Sequence, residues 1–474
     1  LEDLDIKEDP QVKGGFLGVT HIEEDEEYEL DLDHTYETVG AFSGNVTVEG
    51  LEKLIENEKV EEIKIVRELS ISLDDSTGVI NATRVWNMSI GGVYLNGTGE
   101  TVCVLDTGID FTHSAMLGKN LTCNINCVGQ TCAEDCNEAD PNGHGTHVGG
   151  IVASNDITYI GVAPGASLIG VVVCNSGGSC SDSDVLAGID WCKNNSDSYN
   201  ISVISISIGD KQQRTPATCP TTLDDSIDGA VEENISVMVA SGNEAYSNGI
   251  NYPACSPNAT SIGSSTKADA VSSFSNTDEI LDLLAPGSSI VSLKSTGTTL
   301  SGCTDNGAYR TCSGTSMATP HASGVAAILR QWNKLVKSTE LDFAEVRDTL
   351  NATGVSLTDS DNGLSFSRID IFNATIYLDD VAPNITFIDP TPANESSKLE
   401  NVTINITSSE SLANATLEWN GTNLTMSGGG NSWYSERGSV GRGNYTFQVY
   451  GSDFAGNKNF TELRVVVMND SLAT

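Results

Sequence analysis

Four short apolar runs, at 101–105, 168–173, 201–208 and 235–240, constrain this chain more than anything else in it. Each is rich in Val, Ile and Leu and reads as a strand, and Val102-Cys103-Val104-Leu105 is a continuous run of the kind buried on both faces. Between and after them, the segments 144–153, 184–194, 223–233 and 316–334 carry apolar residues at helical spacing. Strand and helix in alternation predict an α/β fold, a parallel sheet covered by helices. Such sheets collect their chemistry at the carboxyl ends of the strands. The run 101–105 ends there in Asp106-Thr107-Gly108.

Two further stretches supply what a carboxylate in that position could work with. In Gly314-Thr315-Ser316-Met317-Ala318-Thr319-Pro320-His321 a small-residue approach feeds a helix, which puts Ser316 at the helix mouth. Unpaired N–H groups there and the positive end of the dipole favour a developing negative charge. Pro320 is expected in the first turn, fixing where the helix begins. In Asn142-Gly143-His144-Gly145-Thr146-His147-Val148-Gly149-Gly150 two histidines ride on a glycine-rich helix entry that admits another backbone at close range. A serine hydroxyl becomes a useful nucleophile when an imidazole takes its proton and a carboxylate orients that imidazole. Taken singly, Ser316 reads equally well as a capping serine.

Asp, His and Ser in that order, within these local sequences, resemble the subtilisin-like serine proteases. Asp106-Thr107-Gly108, His144 to His147 and Gly314 to His321 match the family's three motifs, and Ala240-Ser241-Gly242-Asn243 matches a fourth. The likeness runs from about Trp86 to Trp332. It implies a subtilisin-like sheet, peptide hydrolysis with no cofactor for catalysis, and protein or peptide substrates. It also implies roles: Ser316 as nucleophile, His144 as base, Asp106 as its orienter, and Asn243 as a side-chain donor to the oxyanion. Ser207, Ile208 and Gly209, with Gly242, correspond to the first specificity pocket, and Gly177, Gly178 and Ser179 to an edge strand that pairs with extended substrate. His147 and His321 are expected as hydrogen-bonded scaffold. His21, His34 and His113 have no evident partner and read as surface or loop residues. Glu244 reads as either a residue that tunes the pocket or a solvated loop carboxylate. An idle scaffold for binding, or an esterase or ligase using the same triad, are the competing readings.

Two departures stand out. Cys180 takes a position usually held by glycine, and a bridge to Cys174 would stiffen the substrate rim. His113-Ser114-Ala115-Met116 replaces the family's frequent H-P-x-L, and an acidic calcium ligand commonly carried there is missing. The family often binds calcium on oxygen-rich loops, which leaves structural calcium open; no EF-type spacing occurs.

The remaining sequence frames this region. Residues 1–15 are expected as an acidic leader, and 16–76, with Leu51, Leu54 and Ile55 on a helix face and a strand over 60–73, resemble the family's small α+β inhibitory prodomain, an ordinary accessory α+β module being the alternative. Residues 74–78 read as a turn-rich linker and the region of self-cleavage. The catalytic domain spans 77–380. From 381 to 474, short β-prone runs at 385–388, 402–406, 415–419, 444–450 and 463–467 predict an immunoglobulin-like β-sandwich. That module is expected as a spacer or as an adhesion element for a cell surface, polymer or substrate.

A net charge of −41 argues against nucleic acid as a partner. Twelve cysteines and Asn-x-Ser/Thr acceptors such as Asn45, Asn87, Asn120, Asn258, Asn351 and Asn384 point to a secreted, extracellular, disulfide-bonded glycoprotein. The chain has no apolar stretch of spanning length and begins at Leu1, which fits a removed signal peptide or a fragment. Cys123, Cys127, Cys132 and Cys136 are expected as two local disulfides in preference to a zinc site. Cys219 with Cys255 and Cys303 with Cys312 are further candidate pairs, and Cys103 reads as a small core residue.

Overall fold

The computed structural model describes residues 76–121, 123–136, 140–298, 300–398, 401–438 and 440–469, together with 15–19, 30–36, 41–46, 50, 53–54 and 64–66. The chain divides into two compact units, 1–73 and 74–474. In the first, Leu30–Tyr36, Ala41–Val46, Gly15–Val19 and Lys64–Val66 form a four-stranded antiparallel sheet in that order. Lys64–Val66 is the described part of the strand expected over 60–73, and Leu54 is helical and buried. The leader up to residue 14, Leu51, Ile55 and His21 lie outside the described residues, as do the side chain of His34 and residues 74–75 of the expected linker. Residues 76–78 are not the turn-rich linker expected: Ser76–Val79 forms one helical turn. Tertiary contacts outweigh the local turn composition here, because Ile80 is fully buried and its carbonyl accepts from Ile371 N–H at 3.0 Å.

The second unit is built on a ten-stranded sheet whose parallel heart comprises β1 (Thr101–Asp106), β2 (Ser167–Val172), β3 (Ile201–Ile206), β4 (Ser236–Ala240), β5 (Thr260–Ser265) and β6 (Leu283–Pro286). Their spatial order is β6-β5-β4-β3-β1-β2, every pairing parallel. Since the chain passes from β2 on one side of β1 to β3 on the other, a crevice opens at the carboxyl end of β1.

The near-continuous apolar runs now have their cause. Along β1 successive side chains alternate between two cores: Val102 and Val104 join one, Cys103 and Leu105 the other. Helices α1 (His144–Ala153) and α4 (Thr315–Lys337) contribute to the first core, and α2 (Asp182–Asn194) and α3 (Asp224–Glu232) to the second. Full burial of each such Val or Leu contributes about 1.5–3 kcal/mol.

Beyond the helix Ile371–Leu378 the structure is all-β. A four-stranded sheet, including Ile385–Ile388 and Val402–Ser408, and a six-stranded one, including Leu412–Trp419, Gly443–Asp453 and Arg464–Met468, share a core. Ile404, Ile406, Leu417 and Phe447 are fully buried within it. The strict in/out alternation of Val402–Ser408 is that of a sheet with one face on this core.

The cysteines form six disulfides. Cys123 pairs with Cys136 and Cys127 with Cys132, so the cluster is two local bridges and holds no free thiolate for zinc. Cys174–Cys180, Cys219–Cys255 and Cys303–Cys312 follow the expected pairing. Cys103 does not: it is bonded to Cys192, tying β1 to α2 beneath it. Among the described residues no helix is long and apolar enough to cross a membrane.

Candidate active site

At its carboxyl end β1 delivers Asp106, which is almost fully buried. Helix α1 starts beside it, with Gly143 at φ 93° as N-cap and His144 as first residue. Close approach depends on Gly145, where a Cβ would overlap the carbonyl oxygen of Gly108. His144 Nδ1 consequently lies 2.8 and 2.9 Å from the two oxygens of Asp106. Asp106 Oδ1 also accepts from Thr107 N–H at 2.8 Å, which fixes the carboxylate plane. With Nδ1 donating to a carboxylate, Nε2 of the neutral ring is left as the acceptor. Burial works to lower the pKa of His144, but the charge and hydrogen bonds of Asp106 and the charge of Asp140 outweigh it, so the pKa lies above that of a free imidazole.

Asp140 was not expected from the sequence. Its buried carboxylate accepts from Gly143 and Thr146 N–H and Thr146 Oγ1, each at 2.8 Å, and from Thr107 Oγ1 at 2.8 Å. It thus ties the mouth of α1 to the end of β1 and holds His144 against Asp106. Burial beside the like charge of Asp106 pushes its pKa up in spite of those donors. The one signal in the sequence is an acidic residue four positions ahead of a helix entry.

Helix α4 begins at Thr315, so Pro320 is its sixth residue rather than part of the first turn. A proline there has no N–H to offer the carbonyl of Ser316, four residues back. The expectation failed because a tertiary donor fills the gap: Ser207 Oγ, at the end of β3, donates to Ser316 O at 3.0 Å. The bond is returned, since Ser316 Oγ donates to Ser207 O at 3.2 Å. Two reciprocal bonds with Ser207 thereby lock the half-buried Ser316 between β3 and α4.

Asn243 follows β4 and is exposed. Its Oδ1 accepts from Thr315 N–H at 2.7 Å and Thr315 Oγ1 at 3.2 Å, which leaves the amide Nδ2 as its outward donor. Thr315 Oγ1 also accepts from Gly242 N–H at 3.1 Å. Glu244 is no free loop carboxylate: its Oε2 accepts from Asn243 N–H at 3.0 Å and Asn276 Nδ2 at 2.8 Å.

A cleft of about 490 Å³ opens here, with Thr107, Glu244 and Thr315 in its lining. Every candidate site residue lines it: Asp106, His144 and Ser316; Asn243 and Gly242; Ser207, Ile208 and Gly209; Gly177, Gly178 and Ser179. The last three are not the edge strand expected. Asn175 N–H donates to Ser179 O at 2.9 Å, and Asn175 Oδ1 accepts from Gly177 and Ser179 N–H, so 175–179 is a turn closed by the Cys174–Cys180 bridge.

Three further histidines, His113, His147 and His321, are structural. His147 Nε2 contacts Arg310 O at 3.0 Å and His321 Nδ1 contacts Met317 O at 2.8 Å, both rings fully buried. His113 is neither exposed nor unpartnered: it is buried, its Nδ1 accepts from Ala115 N–H at 3.2 Å, and its Nε2 contacts Ala308 O at 3.1 Å.

Residues 97–368 match the subtilase family, which covers more than half of the chain. The chain belongs to the subtilase family. As a subtilase it is a serine endopeptidase, and it resembles enzymes from several bacteria. Alkaline serine exoprotease A of Vibrio alginolyticus is 32% identical over 71% of this chain and 62% of its own length. Alkaline protease of Alkalihalobacillus alcalophilus is 32% identical over 72% of this chain and 80% of its own. Subtilisin E of Bacillus subtilis is 36% identical over 56% of this chain and 62% of its own length.

Proposed function

We propose that this subtilase hydrolyses peptide bonds in proteins or peptides through Asp106, His144 and Ser316. Rotation about χ1 turns Ser316 Oγ from Ser207 to His144 Nε2. Oγ then bonds to the scissile carbonyl carbon while its proton passes to Nε2. Asp106 keeps the ring oriented and stabilises the imidazolium. The carbonyl oxygen, now negative, is held by Asn243 Nδ2 and the N–H of Ser316, one of the first-turn donors with no carbonyl four residues back inside the helix. Collapse breaks the C–N bond, and His144 returns the proton to the leaving amine. Water repeats the sequence on the acyl-enzyme and frees Ser316. No cofactor takes part.

The observation that carries this reading is the double contact of His144 Nδ1 with Asp106, on the same cleft as Ser316 and Asn243. The reading extends to the rest of the chain. Residues 16–76 act as an intramolecular inhibitor released by self-cleavage near 72–80, 77–380 form the catalytic domain, and 381–474 are an immunoglobulin-like spacer or adhesion module. Six disulfides support secretion into an oxidising space. Expression of the full chain with and without Ser316→Ala, followed by fragment masses, tests both parts. Scission near 72–80 and casein hydrolysis only in the unmodified chain are expected. Equal hydrolysis by the two proteins overturns the reading.

A further inference from the structure

Far along the chain from the cleft residues, three carboxylates converge where the α/β part meets the β-sandwich. Asp379 directly follows the helix Ile371–Leu378. Glu410 lies between the strands Val402–Ser408 and Leu412–Trp419, and Asp453 closes the strand Gly443–Asp453. One oxygen from each lies within 4.8 Å of the others. The seam around them is stitched by hydrogen bonds: Gly91 N–H donates to Ser409 O at 2.6 Å, Ser411 N–H to Ser89 O at 3.1 Å, and the side-chain Asn457 Nδ2 to Asp379 O at 3.0 Å.

Three acidic side chains side by side need an offset, and the protein supplies little. Asp453 is 97% buried, being 3% exposed. Its Oδ1 accepts from Asn457 N–H at 2.9 Å, while its Oδ2 is buried with no hydrogen-bond partner among the described residues. Glu410 is 6% exposed. The cation that faces Asp379, Lys337, is paired at 3.0 Å with the exposed Asp380. A buried carboxylate oxygen without a donor is costly unless a charge of opposite sign meets it.

We propose that Asp379, Glu410 and Asp453 bind one divalent cation of the calcium type, which clamps the β-sandwich to the α/β part of the chain. An all-carboxylate set with no nitrogen or sulfur ligand suits a hard cation. Ligands drawn from the end of a helix, a link between two strands and a strand end form an irregular shell, which calcium with its six to eight oxygens accepts more readily than octahedral magnesium does. The site stands apart from the catalytic cleft and does not depend on the protease reading.

Calcium titration of the chelator-treated full chain carrying Ser316→Ala, by isothermal calorimetry and by thermal unfolding, tests this against Glu410→Gln and Asp453→Asn in the same background. Each substitution is expected to remove one bound Ca²⁺ per chain and the corresponding rise in melting temperature. Glu410→Gln keeps the shape of Glu410 and removes a buried charge, so it is expected to melt in chelator no lower than its parent. It therefore decides the question even if Asp453→Asn does not fold. Calcium stoichiometry and thermal gain unchanged by Glu410→Gln, or an equal gain with magnesium at the same concentration, overturn the proposal.

Discussion

Ser207→Ala asks whether a side-chain hydroxyl replaces the backbone donor that Pro320 lacks. Ser207 Oγ stands 3.0 Å from Ser316 O, Ser207 is 6% exposed, and Pro320 is buried. Removal of the hydroxyl strips a half-buried carbonyl of that donor, which costs toward the lower end of about 1–3 kcal/mol. If residue 320 carried an N–H, the helix itself would satisfy the same carbonyl. In a Pro320→Ala background the loss from Ser207→Ala should therefore shrink, with a coupling of about 1 kcal/mol or more between the two positions. The assay is a double-mutant cycle on denaturant midpoints, with all four proteins also carrying Ser316→Ala so that no hydrolysis enters the measurement. The bond to Ser316 O is a main-chain one, so that background leaves it in place. Equal costs of Ser207→Ala in the two backgrounds would refute the reasoning.

Three further outcomes are expected. Loss of one oxyanion donor costs a subtilisin about 10²–10³ in turnover; that magnitude carries over to Asn243→Ala, which should lower kcat with KM little changed, and unchanged kcat counts against Asn243 as a donor. The base must be the neutral imidazole, and the pKa of His144 is raised, so kcat/KM should fall with decreasing pH through a value above about 6.5; an acid limb at or below that value contradicts the charge balance around His144. Replacing Cys174 and Cys180 together by serine frees the 175–179 turn on the cleft rim and should raise KM several-fold more than it lowers kcat; a pure kcat effect would show that the bridge acts elsewhere.

What the sequence made legible was whatever is fixed within a few residues. The strands β1 to β4 read correctly because β-branched residues recur in all four, and α1, running from His144 to Ala153, starts and ends where its glycines and apolar spacing predict. What escaped depends on distant partners. Pro320 sits in the second turn of α4 because a hydroxyl more than a hundred residues upstream meets the orphaned carbonyl. The Cys103–Cys192 bridge spans 89 residues and leaves no local spacing to read. Asp140 is ordinary in sequence, and its importance comes from five donors, on the end of β1 and the entry of α1. At 177–179 the family resemblance implies an edge strand, yet the Asn175 side chain and a disulfide bend the segment into a turn.

The central claim is that Ser316 is made nucleophilic by His144. A fluorophosphonate probe reacts with an activated serine, so the labelled peptide from the mature enzyme is the direct test. The account predicts one label, on Ser316, that disappears in His144→Ala while the fold persists. Labelling of Ser316 that is undiminished in His144→Ala, or a label on another serine, would contradict it.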